Sequence, residues 1–219
     1  MPQLNTSLHL DMLRHWRQKR SLSRRLRRAL KEITSPGLYG LDWGDPDYVE
    51  PLRFVRDRYV LPYVNPQHRA VEIGPGGGRW TRYLLGFKEL YLVDYHAELQ
   101  EELKENFKQP NMRFILNSGV DFPGIPERSI DFLFSFGTFV HLDVSLIEQY
   151  LQNMRPILTP TATVVLHYAD KTKIMALLNE GFSQNTPAQM REMVSKAGFR
   201  ILEEDLTTMW HSSIVRFGL

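Results

Sequence analysis

The sequence predicts an α/β protein: a doubly wound, seven-stranded, mostly parallel sheet that closes in a C-terminal antiparallel hairpin, with a helical arm in front of it. Three observations predict it. From Arg69 onward, short apolar runs alternate with amphipathic helical patterns, the signature of a parallel sheet with helices on both faces. The first run, Ala70-Val71-Glu72-Ile73, ends abruptly in glycines, as a buried strand does when the backbone turns sharply at its end. The last two runs are joined by only a few residues, too few for a parallel crossover, so they must pair as a hairpin.

The arm comes first in the chain. Leu4, Leu8, Met12 and Trp16 repeat every four residues, and Leu22, Leu26, Ala29 or Leu30 and Ile33 continue the stripe after a polar break, with Ser21 as a cap for a second helix. Residues 1–34 also hold nine Lys or Arg (Arg14, Arg17, Lys19, Arg20, Arg24, Arg25, Arg27, Arg28, Lys31) against Asp11 and Glu32, a net of +7. The whole chain is only +2, so the remainder is −5. Such asymmetry points to an anionic partner for the arm, whether nucleic acid, a phosphorylated substrate or a membrane surface. The competing reading packs the apolar stripe on the body and leaves the arginines as a solvated face.

Ser35-Pro36-Gly37 ends the arm, and the stretch that follows, up to Pro51, is too rich in Gly, Pro and Asp for helix or strand. Its Tyr39, Trp43, Asp45, Asp47 and Tyr48 suit a lid over a ligand, or a loop pinned by a buried Trp. Residues 1–50 are thus a basic helical arm with a lid-like loop, and residues 51–219 a ligand-binding domain. A helix over Pro51 to Val60 leads into strands expected at 69–74, 89–94, 112–116, 130–135 and 161–168, with helices at 79–86, 97–107 and 143–154 between them. An amphipathic piece from Lys171 to Leu178 follows, then a helix with Thr186 as cap, Pro187 at its first position and Gly198 past its end. Strands at 199–205 and 209–217 form the hairpin.

Ligands of an open α/β sheet bind at the carboxyl ends of its strands. After the first strand stand Gly74, Pro75, Gly76, Gly77 and Gly78, where a helix starting at Arg79 would aim its unpaired amides at a ligand. A dinucleotide fold wants G-x-G-x-x-G, and here the third position is Arg79, so the register fails. The second strand ends in Asp94, a carboxylate placed to accept both hydroxyls of a ribose, with Tyr95 beside it. At these residues the chain resembles the class I S-adenosylmethionine-dependent methyltransferases, whose first motif has the form acid-x-G-x-G-x-G; Glu72, Gly74, Gly76 and Gly78 fill it.

The resemblance covers roughly residues 50 to 219 and implies a Rossmann-like methyltransferase fold with S-adenosylmethionine as cofactor. It also implies that a polar residue after the third strand meets the adenine amino group, for which the chain offers Asn117, Ser118 and Gly119, with Asp121 slightly later. Ser135 and Phe136, after the fourth strand, complete the cofactor-binding set. Asp131 begins that strand, at the edge remote from ligands, and reads as structural.

A methyl sulfonium is already electrophilic, so an enzyme of this class must align the acceptor and, where the acceptor is a hydroxyl, remove its proton. His141 and His167 follow the fourth and fifth strands and are the candidate bases, because imidazole titrates near neutrality. No metal spacing is evident; His167 and Asp170 lack a third ligand. The chain has no cysteine, hence no disulfide and no thiolate nucleophile, and no apolar run approaches the roughly 20 residues that span a bilayer. A cytoplasmic protein fits. The expected function is methyl transfer to a small-molecule acceptor, most readily at a hydroxyl oxygen. RNA methylation with the basic arm, a nucleotide-dependent oxidoreductase and a non-catalytic cofactor-binding partner protein are the alternatives. Against nucleic acid, the fourth-strand loop Ser135-Phe136-Gly137-Thr138-Phe139-Val140-His141 lacks the paired prolines with which many amino-methylating enzymes hold a base.

Overall fold

The computed structural model describes Gly40 and residues 43–219, which belong to a compact unit spanning Tyr39–Leu219. The expected basic arm, its cap at Ser21 and its anionic partner lie outside the described residues.

Helix α1, Glu50–Tyr59, opens with Pro51, whose missing N–H is harmless in a first turn, and buries Leu52, Val55 and Tyr59. A short 3-10 turn, Leu61–Tyr63, leads to strand β1, Arg69–Ile73. There follow α2 (Thr81–Leu84), β2 (Glu89–Asp94), α3 (Ala97–Asn106), β3 (Met112–Leu116), β4 (Ile130–Ser135), α4 (Val144–Met154) and β5 (Leu158–Ala169). The chain ends with α5 (Ile174–Leu177), α6 (Pro187–Lys196), β6 (Arg200–Asp205) and β7 (Ser212–Gly218).

These strands form one seven-stranded sheet in the order β3-β2-β1-β4-β5-β7-β6. The first five are parallel, and β7 runs antiparallel between β5 and β6. Because the chain winds outward from β1 to β3 and then returns to place β4 on the other side of β1, a crevice opens at the carboxyl ends of β1 and β4.

Alternation along β1 divides the core. Val71 and Ile73 join Leu133, Ile147, Leu151, Met190 and Val194 under α4 and α6, while Ala70 joins Leu52, Val55, Leu90, Leu103 and Phe134 under α1 and α3. Phe132 anchors the second layer, stacked between Tyr63 at 5.0 Å and Phe87 at 5.7 Å. At the amino edge Asp131 accepts the Arg69 amide (2.9 Å) and the Thr159 hydroxyl (3.3 Å), tying β1 and β5 to β4 in the structural part expected of it.

Two helices are shorter than the sequence predicts. The helix expected over 79–86 spans only Thr81–Leu84, and residues 76–80 before it are turns, with Gly78 at φ +95°. The piece expected over Lys171 to Leu178 is helical only over Ile174–Leu177, buries only Ala176, and so lacks packing that would extend it. In contrast, α6 has its expected punctuation: the Thr186 hydroxyl accepts the Gln189 amide, Pro187 opens the helix, and Gly198 follows it at φ +78°.

Candidate functional site

The floor of the crevice is the turn from Gly74 to Gly78. Gly74 has φ +68°, and a Cβ there would lie 1.9 Å from the Thr138 hydroxyl; one on Gly78 would lie 2.2 Å from the Phe107 ring. Both glycines therefore make room for protein, namely the loop after β4 and the end of α3, as well as letting the backbone approach a ligand. Glu72 is buried beneath the turn at 2% exposure and accepts the Thr81 hydroxyl at 2.6 Å. Burial is the main reason its carboxyl is pushed up to about 8, and neighbouring Asp94 adds to the effect.

Arg79 is the cation of this floor. It is 7% exposed, and among the described residues it makes one long hydrogen bond to the Gly44 carbonyl (3.4 Å) and lies over the faces of Trp80 and Phe136 at 5.8 and 5.5 Å. Among the described residues no carboxylate comes within ion-pair distance of it. Burial pushes its guanidinium down to about 10. A buried cation with no ion-paired carboxylate among the described residues fits an anionic ligand group.

The second wall follows β2 and β3. Asp94 is 7% exposed, and its Oδ1 accepts the His96 amide at 2.9 Å, an Asx-type turn that fixes the carboxylate and leaves Oδ2 for a ligand. Tyr95 beside it is 63% exposed. Asn117 is buried; its Nδ2 donates to the Asp121 carbonyl (3.3 Å) and to the Tyr150 hydroxyl (3.2 Å), while its Oδ1 is a buried acceptor with no partner. Asp121 accepts both the amide (2.7 Å) and the hydroxyl (2.8 Å) of Ser118, bracing the turn through Gly119, and the Ser118 amide is the first cause holding its carboxyl below the usual range. Asp121 and Ser118 thus shape this wall through each other.

The third wall is the loop after β4. Ser135 is fully buried and gives its hydroxyl to the Ile73 carbonyl (2.9 Å), so it ties two strand ends together and has no proton left for a ligand. Phe136 stacks flat on His167, with centroids 3.9 Å apart. His167, 3% exposed, accepts the Gly137 amide on Nδ1 (3.1 Å) and meets the Ser212 hydroxyl through Nε2 (2.5 Å), so both ring nitrogens are engaged. Burial drives its imidazole well below its usual range. His141 differs: it is exposed, and its Nδ1 meets the Gly181 carbonyl at 2.7 Å.

Ion pairs hold the described part of the acidic loop onto this region. Asp45 pairs with Arg82, and Asp47 with Arg56 at 2.5 Å. Trp43 is 60% exposed, so the alternative of a loop pinned by a buried Trp is corrected: charge pins it.

A ribose diol, an adenine amino group and an amino-acid carboxylate are the polar ends that S-adenosylmethionine presents. Asp94 Oδ2, the orphaned Asn117 Oδ1 and Arg79 are fitted to hold them in that order. The sequence reading missed Arg79, using it only to reject the dinucleotide register, and missed His211, which meets Ser212 through Nδ1 at 2.8 Å. A signal for the second existed, because the connection of a hairpin whose first strand runs with the parallel set must lie at the carboxyl edge.

Residues 70–161 match the family model of a methyltransferase domain. A search of curated proteins found no significant match. Among solved structures the chain is similar to an S-adenosylmethionine-dependent methyltransferase from Mesorhizobium loti (TM-score 0.65, 13% identity, covering 80% of this chain and 100% of that one). It is also similar to one from Archaeoglobus fulgidus (0.62, 13%, 80% and 95%) and one from Aquifex aeolicus (0.58, 16%, 87% and 96%).

Proposed function

We propose that this chain, whose residues 70–161 match a methyltransferase-domain model, is a class I S-adenosylmethionine-dependent methyltransferase whose acceptor is a small molecule methylated at a hydroxyl oxygen, with His141 taking the proton. The carrying observation is the hydrogen bond between His141 Nδ1 and the Gly181 carbonyl. A carbonyl can only accept, so Nδ1 holds the ring proton and Nε2 is left with its lone pair. That lone pair belongs to an exposed ring on the loop that also crosses Gly74, where the cofactor-binding turn begins. When bound, S-adenosylmethionine supplies a methyl group already activated as an electrophile. The protein's own part is to hold the acceptor in line and to move its hydroxyl proton to His141 Nε2 as the oxygen becomes nucleophilic. His167, its two nitrogens engaged and its ring buried, is assigned a positioning role in place of the alternative base.

The test uses a panel of hydroxylated small molecules. His141→Ala should cut turnover by about two to four orders of magnitude while leaving S-adenosylhomocysteine affinity unchanged. Near-wild-type turnover in that variant would leave alignment as the mechanism. The acidic remainder of the chain, −5 in formal charge, disfavours a polyanionic acceptor on this domain, so any nucleic-acid role rests on the arm.

A further inference from the structure

Around the hairpin connection, the hydrogen bonds fix where three ring protons sit. Because β7 runs antiparallel to β5, with Ala169 opposite Ser212 and His167 opposite Ile214, His211 stands at the carboxyl edge with the rest of the site. The Gly137 amide can only donate, so His167 Nδ1 must be the unprotonated nitrogen, and the neutral ring carries its proton on Nε2. That proton goes to Ser212 Oγ, 2.5 Å away. The Ser212 hydroxyl is fully buried and its other described partner is His211 Nδ1 at 2.8 Å, so its own proton points there. The opposite arrangement, with His211 donating from Nδ1, would leave a buried hydroxyl without an acceptor, which is costly. His211 Nδ1 is therefore an acceptor, and the neutral ring carries its proton on Nε2.

His211 and His141 both pack edge-on against the ring of Phe182, at 5.3 and 5.7 Å between centroids. Around one aromatic ring the protein thus presents one imidazole with a lone pair on Nε2 and one with a proton on Nε2. His211 is partly exposed, in contrast to His167.

We infer that His211 is a specificity-determining donor: its Nε2–H binds a second oxygen of the acceptor, so the site selects molecules that carry another hydroxyl, carbonyl or carboxylate oxygen near the hydroxyl to be methylated. This rests on the proposal that His141 is the base. A lone alcohol satisfies only His141 and leaves a donor unpaired, whereas a polyol satisfies both. Gly137, His167 and Ser212 act through His211 and are positioning residues.

The experiment is a long-range proton–nitrogen correlation spectrum of the full-length, histidine-labelled protein saturated with S-adenosylhomocysteine, which reads each tautomer without any turnover. His211 and His167 should appear with the proton on Nε2 and His141 with it on Nδ1. Ser212→Ala should convert His211 into a tautomer mixture, and Ser212→Thr should restore the single form. Added inositol should shift the His211 Nε2 resonance, and cyclohexanol should not. A His211 proton on Nδ1, a His211 tautomer indifferent to Ser212→Ala, or no response to inositol would each overturn the inference. A His211 response with His141 Nε2 unmoved supports the donor and removes the base assignment instead.

Discussion

Asp94 and Arg79 bracket the crevice, and each makes a separable prediction. Among the described residues Asp94 Oδ2 has no hydrogen-bond partner, so Asp94→Ala should weaken S-adenosylhomocysteine binding by about 1.5–3 kcal/mol, measured by calorimetry, through loss of charge-assisted hydrogen bonds. Arg79 is fitted to a carboxylate, so Arg79→Met should weaken the same ligand but leave methylthioadenosine, which lacks the carboxylate, bound as before. Equal losses for both ligands would reassign Arg79 to packing. Glu72 links the floor to pH. Below its ordinary value of about 4.5 the carboxyl is protonated in both folded and unfolded chains; between there and about 8 only the unfolded chain releases the proton. Stability of the ligand-free protein should therefore fall as pH rises through that window and level off above it, by an amount of order a few kcal/mol. Glu72→Gln should abolish that slope in urea unfolding, and an unchanged slope would assign it to other groups.

At the scale of elements, the short helix α2 and the long sheet divide the work. Four residues of helix cannot supply stability of their own, so the turn that precedes them is held by what surrounds it: Thr81 on Glu72, Trp80 against Phe134 and Phe136, and Thr138 over Gly74. The anchor of that surround is the aromatic ladder Tyr63, Phe87, Phe132, Phe134 and Phe136. Phe132 is 1% exposed at its centre, and Phe132→Ala should destabilise the protein by about 3–5 kcal/mol in chemical denaturation. A loss below about 1 kcal/mol would mean that the neighbouring rings collapse into the space.

For the whole molecule, the charge asymmetry sets the remaining question. We propose that residues 1–34, with their net +7, hold an anionic partner while the body carries out the chemistry. Deleting them should abolish a salt-sensitive association with RNA or anionic vesicles and leave S-adenosylhomocysteine affinity intact. A joint fall in melting temperature and cofactor affinity would instead make the arm a packed cover.

The sheet was legible because its evidence is local. Short apolar runs such as Ala70 to Ile73, glycine at a strand end, and an acid at the end of the next strand each report backbone geometry within a few residues. The start of α2 was not legible, because the turns over 76–80 carry the chain past Arg79 and leave no mark in residue type. Tertiary structure alone decided which polar atoms remain available. Ser135 gives its hydroxyl to Ile73 and Asp121 accepts from Ser118 through Oδ1, while among the described residues Asn117 Oδ1 and Asp94 Oδ2 have no partner. The two histidines that looked alike along the chain differ for the same reason. A ring's character is set by the partner on its other nitrogen, and Gly181 is 40 positions from His141 and Ser212 is 45 from His167. Spacing determined the edge of the sheet where a ligand binds, and the resemblance carried by Glu72, Gly74, Gly76 and Gly78 implied the class of cofactor. Which atoms do the binding depends on contacts between residues far apart in the chain, and only folding brings those together.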